Sequence, residues 1–216
     1  MMSVERPEID EILATTRSVR RRIDFNRVVD PALLLECIEL AVQAPTGVGG
    51  ESWRFVIVTD DDKKRAIAKL YRRAFDDYTA ARTAEQENTG GAPASLSRNY
   101  RFLADHLQDF PALVVVCREG RPPANVPRQL AFYGSVLPAA WSLMLALRSR
   151  GLGATWTSLL SNYEAEVAAL LKIPADATLA VLLPVGHVHN AVLRRAQRRP
   201  ARDVTFWDDW GTRRDA

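Results

Sequence analysis

The sequence predicts a layered fold of helices and strands, α/β or α+β, and three observations carry that prediction. Continuous apolar runs read as buried strands: WRFVIV (Trp53–Val58), ALVVVC (Ala112–Cys117) and TLAVLLPVG (Thr178–Gly186). Long stretches of helical periodicity separate them, which argues against a sandwich or barrel. The chain has 216 residues, 47% of them hydrophobic, enough for the core of one large domain spanning 1–216.

The elements follow in order. PEIDEILATT places Ile9, Ile12 and Leu13 on one helical face, with Pro7 near the first turn. In DPALLLECIELAVQA, Asp30 is a natural N-cap, Pro31 fits the first helical position, and Pro45 stops the helix. The strand from Trp53 reads as central, buried on both faces. Asp60 to Asp62 cap a helix through Arg82, and the polar stretch 84–95 reads as a flexible loop. A helix over Ser95–Phe110 and the strand Ala112–Cys117 follow. Gln129–Arg150 reads as the longest helix, with Gly151 as its C′ residue and a kink at Pro138. Its apolar residues, among them Leu130, Leu137, Trp141 and Leu147, cover nearly the whole circumference, which places it in the middle of a dimer. GATWTSLL (Gly153–Leu160) is a short strand or a loop. A helix capped by Asn162 and the strand Thr178–Gly186 complete the body. The tail 200–216 carries Trp207 and Trp210, which calls for a packing partner such as a second subunit.

Several function classes are weakened at once. Cys37 and Cys117 lie in apolar runs and read as buried thiols, and His106, His187 and His189 as surface or rim residues, so a Cys–His nucleophile is not supported. No metal-ligand spacing is present. The net charge is +3, with arginine clusters at Arg17–Arg22 and Arg194–Arg199. Acidic residues nearly balance them and no aromatic residues interleave, so nucleic-acid binding is only the alternative of another class. No run reads as a membrane span and no signal peptide is visible, giving a cytoplasmic expectation.

The stretch APTGVGGESWRF (Ala44–Phe55) invites a phosphate-loop reading and fails it. G-x-G-x-x-G would need glycine where Ser52 stands, and no lysine follows. A helix precedes the loop and a strand follows, so a helix C-terminus faces it, and that end disfavours an anion. Bare backbone suits close approach to a flat neutral group. Ser18 between Arg17 and Arg20 suits a phosphate dianion better, with Arg194–Arg199 able to close on the same anion.

In this order the segments resemble the flavin-dependent nitroreductase family: TTRSVR, then AVQAPTGVGGESWRFVIV, then RSRGLGATWTSLL, LLPVGHV and the late RRP, over about Glu8 to Trp210. The resemblance implies an α+β fold with a mostly antiparallel sheet flanked by helices, in an intertwined homodimer with FMN at the interface. It implies that the tail crosses to the partner subunit. By residue, Arg17, Ser18 and Arg198 match the positions on the FMN phosphate and ribityl chain. Arg20 matches the basic position at the flavin's pyrimidine edge. Pro45, Thr46, Gly47 and Gly49 match a turn at the ring, contributed across the interface. Trp156, Thr157, Ser158 and Leu159 match a segment over one ring face, where a backbone N–H meets the flavin. Gly49, Glu51 and Ser52 depart from the family's usual Asn, Gln and Pro, which bears on substrate preference. The implied activity is hydride transfer from NAD(P)H through FMN to a nitroaromatic, a quinone or a similar small planar acceptor, with no catalytic side chain. The alternative within the family is a specialised reductase or dehydrogenase of one metabolite, or a flavin-binding member of low turnover.

Overall fold

The structure, a computed structural model, describes residues 8–47, 50–89, 98–189 and 192–214. Helices and strands run α1 (Ile9–Thr15), β1 (Ile23–Asp24), α2 (Pro31–Ala41), β2 (Trp53–Val58), α3 (Asp61–Thr89), α4 (Arg98–His106), β3 (Ala112–Glu119), α5 (Val126–Arg148), β4 (Leu152–Ala154), α6 (Glu164–Leu171) and β5 (Ala177–Val188). Single turns of 3-10 helix occupy Leu107–Asp109, Leu159–Tyr163 and Ala201–Asp203. The expected caps form: the Asp30 carboxylate accepts from Ala32 N–H at 2.9 Å, and the Asp60 carboxylate from Lys63 N–H at 2.9 Å. Gly151 takes φ 72° just past α5, where a Cβ would be strained.

Every strand pairing is antiparallel. β5 is the centre. β3 lies along one edge and carries β2 beyond it, β1 continues that edge, and β4 takes the other, so Val185 faces both Ala112 and Ala154. The register between β3 and β5 shifts after Val116, leaving Ala180 as an extra residue in β5. Along β3, Ala112, Val114 and Val116 enter a core shared with α2 and α5. Leu113, Val115 and Cys117 enter a second core with α3, α4 and α6. Both faces are covered, which is why these strands read as unbroken apolar runs rather than as alternation.

Three expectations are corrected. β2 is an edge strand, with Arg54 exposed and paired to Glu119 at 2.7 Å, so WRFVIV is not buried on both faces in the single chain. α3, with 29 residues, exceeds α5 with 23, because it continues through Thr89 into the stretch 84–95 that reads as a loop. Ala84, Glu85, Gln86 and Glu87 are good helix formers, and that propensity prevails over polarity; residues 90–97 lie outside the described ones. α6 begins after Tyr163, not Asn162, because a 3-10 turn occupies Leu159–Tyr163. α5 alone among the described helices has the length and hydropathy of a membrane span, and it packs on α2, β2, β3, β4 and β5 within the layers.

Glu164 ties α6 to the sheet. Its carboxylate accepts from Leu179 N–H at 2.7 Å and pairs with Arg121 at 2.7 Å. Burial pushes its pKa up, but the Arg121 and Leu179 hydrogen bonds outweigh burial, and the net direction is down. On acidification the unfolded chain therefore takes up this proton first. The stabilisation is complete above the ordinary carboxylate value of about 4.3 and fades as pH falls through the lower folded value. Glu164→Ala is expected to cost about 1.5–3 kcal/mol at pH 7 and to flatten the acid limb of a melting-temperature profile. An unchanged acid limb would show that these bonds do not stabilise the fold.

Candidate active site

After α1 the chain turns extended at Thr16 and runs beside β4. Val19 N–H donates to Ala154 O at 2.9 Å, and the buried Thr155 hydroxyl donates to Val19 O at 2.8 Å. Gly153 permits this approach: a Cβ there would stand 3.0 Å from Val19 Cβ and 2.9 Å from Val188 Cγ2. The two segments that the sequence singles out, Arg17–Arg20 and Trp156–Leu159, are thereby brought side by side.

Arg20, Trp156, Thr157, Ser158 and Leu159 line one cavity of about 290 Å3, together with Tyr71, Phe75, Tyr78, Arg82, Tyr100 and Leu103. Arg20 lies with its guanidinium carbon 4.8 Å from the Tyr100 ring centroid. Its Nε is buried without a hydrogen-bond partner. Burial lowers the Arg20 pKa, against an opposite pull from the phenols of Tyr100 and Tyr71. A buried cationic donor left unpaired within the protein is costly, and an acceptor arriving in the cavity removes that cost. Tyr71 and Thr157 hydroxyls are 3.1 Å apart in a buried hydrogen bond, and burial raises the Tyr71 pKa.

Thr157 also forms a bridge to the sheet: its N–H donates to Leu182 O at 3.1 Å, and Leu182 N–H returns to Thr157 O at 2.9 Å. That commitment removes the Thr157 N–H from the donors the resemblance offers to a flavin.

The other expected site residues sit elsewhere. Arg17 is exposed, and its Nη1 donates to Arg194 O at 2.9 Å, so the two arginine clusters do meet. Ser18 is half-buried beside it and lines neither cavity. Pro45, Thr46 and Gly47 are exposed, with Gly47 nearest to Ala131 O of α5. Gly49 lies outside the described residues. Glu51 is exposed and lines neither cavity. Arg198 lies on the exposed stretch after β5. Arg21 is pinned on α4, donating to Asn99 Oδ1 at 3.0 Å and Arg98 O at 3.0 Å, and this anchoring, with the burial of Arg20, weakens the nucleic-acid alternative.

A second, apolar groove of about 680 Å3 runs along the outer face of α5. Leu130 is 71% exposed there, Val126 65% and Trp141 40%, so Trp141 is not the core residue its apolar context implies. Trp156 lines both the groove and the cavity. Tail residues Trp207 and Trp210 are exposed as well, Trp210 at 93%.

The reading of the sequence missed the wall built by α3. Tyr71, Phe75, Tyr78 and Arg82 recur every three or four residues, a single helical face, and that spacing was legible in KLYRRAFDDYTAAR. Among the described residues no group of His, Cys, Asp and Glu could hold a metal. Burial pushes the Cys37 thiol up to about 11 and the Cys117 thiol up to about 12, so neither supplies a thiolate.

Comparison with known proteins agrees with this architecture. Human iodotyrosine deiodinase 1 is 30% identical over 197 residues, covering 89% of this chain and 66% of that protein. The chain thus spans about two thirds of the length of that relative. The 5,6-dimethylbenzimidazole synthase of Rhodospirillum rubrum is 32% identical over 193 residues, covering 84% of this chain and 82% of that one. The fold matches the crystal structure of an oxidized iodotyrosine deiodinase bound to FMN and 3-iodo-L-tyrosine with a TM-score of 0.65, at 22% identity, over 89% of this chain and 96% of that one. The model of the nitroreductase family matches residues 13–187, and the chain belongs to that family.

Proposed function

We propose that the protein is an FMN-dependent flavoenzyme specialised for one small organic substrate. The observation that carries this reading is the buried, unpartnered Nε of Arg20 in a cavity walled by Trp156–Leu159. Bound FMN would supply the two-electron chemistry that no side chain here performs. Arg20 would hold the polar edge of the ring, and Trp156, Ser158 and Leu159 one of its faces. Arg17, Ser18 and Arg198 would hold the phosphate, since Arg17 already joins the Arg194–Arg199 stretch at Arg194 O. Pro45, Thr46, Gly47 and Gly49 would reach the ring of a second copy. The same arrangement gives the exposed α5 groove and tail tryptophans a homodimer to bury them. The whole chain 1–216 would act as one domain in a reducing, cytoplasmic setting, where the two free thiols are at home.

Specialisation supports itself on the relatives, a deiodinase and a synthase with dedicated substrates by name. A broad NAD(P)H reductase of nitroaromatics and quinones is the second reading, favoured by the open, half-exposed Tyr78 and Tyr100 rims of the cavity. Two measurements decide. Titration of the purified protein with FMN is expected to give a tight flavin spectrum, and a protein that takes up no flavin overturns the proposal. Anaerobic reduction by NADH and NADPH, followed by 3-iodo-L-tyrosine, nitroaromatics and quinones as acceptors, then separates the two readings: fast turnover of many acceptors favours the broad one.

A further inference from the structure

Leu182 occupies both main-chain groups of Thr157, at 3.1 and 2.9 Å, so its hydroxyl is the polar group left for the cavity. That hydroxyl lies 3.1 Å from the hydroxyl of Tyr71 on α3. Tyr71 is 1% exposed and Thr157 8%, and both line the cavity with Arg20. Neither hydroxyl has a second hydrogen-bond partner among the described residues. Two hydroxyls carry two protons, and the bond between them uses one. The other proton is a buried donor without an acceptor, a state that costs free energy until an acceptor arrives. Arg20 Nε is in the same state in the same cavity. Two idle donors in one space call for a ligand with acceptor atoms.

The direction of the bond follows from chemistry and depth. A phenol is the more acidic hydroxyl, so Tyr71 is the better donor and the threonine oxygen the better acceptor. Burial raises the Tyr71 pKa against the pull of the Thr157 hydrogen bond and of Arg20, which keeps the phenol protonated at neutral pH. Tyr71 is also the deeper residue, its ring packed in the core with Phe75 and Leu103, so the proton that reaches the cavity is that of Thr157. A hydroxyl that accepts one hydrogen bond donates the next more strongly.

We propose that Tyr71 and Thr157 form a hydroxyl chain for the ring edge held by Arg20: Tyr71 donates to Thr157, and Thr157 donates to an acceptor atom of that ring, a carbonyl oxygen or a ring nitrogen. Thr157 is then a contact residue, and Tyr71 a positioning residue that acts only through it. The chain rests on the flavoenzyme reading, with bound FMN as the ring.

The test is a double-mutant cycle on FMN affinity, titrated into the full-length protein and corrected for the folded fraction of each variant. Thr157→Val keeps the shape, removes the hydroxyl and is expected to weaken FMN about three- to tenfold. Thr157→Ser returns the hydroxyl and is expected to recover most of that loss. Tyr71→Phe is expected to cost about threefold alone and less than about 1.5-fold in the Thr157→Val background. A Tyr71 that merely packs would cost the same in both backgrounds. That result, an undiminished affinity in Thr157→Val, or a Thr157→Ser variant no better than Thr157→Val would overturn the chain and leave the flavoenzyme standing. A parent protein that takes up no FMN overturns both.

Discussion

Arg20→Met is expected to lower FMN affinity by about ten- to a hundredfold while leaving the flavin-free protein as stable as its parent or more so. The affinity loss follows from the usual worth of a hydrogen bond to a charged group, about 1.5–3 kcal/mol. The stability follows from the state of Arg20 without a ligand. Its guanidinium is half-buried, its Nε has no partner within the protein, and burial lowers its pKa. Its stacking on Tyr100 and the pull of the Tyr71 phenol offset that desolvation only in part. Methionine keeps the aliphatic stem and discards the unpaired charge. A residue retained purely for folding would show the opposite pattern, a fall in melting temperature with affinity lost only in step. Arg17→Glu is the companion measurement: it places like charge where a phosphate is expected, on an exposed residue, and should weaken FMN further as salt is lowered. A flavin spectrum unaltered by Arg20→Met would remove Arg20 from the site.

Gly153→Ala is expected to cost about 1–3 kcal/mol and to impair flavin binding in addition. The new methyl would meet Val188 Cγ2 at 2.9 Å and Val19 Cβ at 3.0 Å. Both neighbours are branched next to the main chain, so neither can swing its contacting atoms far. The relief available is to move Val19 away from β4, which stretches the Val19–Ala154 and Thr155–Val19 hydrogen bonds and shifts Arg20 relative to Trp156. Gly186→Ala is the control that separates folding from the site. Its methyl would collide with Ile23 Cγ2 and stand 3.1 Å from Pro111 Cδ, with no Val19 contact among its nearest atoms. Thermal melts should show both variants lowered, by about 2–4 °C per kcal/mol for a chain of this size. Flavin affinity corrected for the folded fraction should fall only for Gly153→Ala. Equal losses in the two variants would show that Gly153 acts through stability alone.

The layers were legible because they rest on local signals. Asp30 with Pro31, the apolar runs of β3 and β5 and Gly151 after α5 each state a backbone preference that nothing in the packing contradicts. β2 was misplaced because an apolar strand buried on both faces and an apolar strand at a sheet edge look alike in the sequence. The adjacency of Arg20 and Trp156–Leu159 came from the resemblance, since no local rule joins residues so far apart. The physical device that joins them, a glycine allowing two backbones to touch, leaves only a missing side chain in the sequence. The aromatic face of α3 was visible as a spacing, but apolar faces on helices ordinarily mean core, and Tyr71 and Phe75 are indeed also core residues. The function of such a face shows only when its outer turns are seen standing over a cavity.

Trp156 is one wall shared by two compartments, the cavity and the α5 groove. The indole cannot shift for an occupant of one without changing the shape of the other. Thermodynamic reciprocity then holds without further assumption: whatever factor an occupied groove imposes on affinity in the cavity, an occupied cavity imposes the same factor on the groove. For the proposed homodimer, filling the groove by assembly and filling the cavity by ligand would then be coupled in both directions.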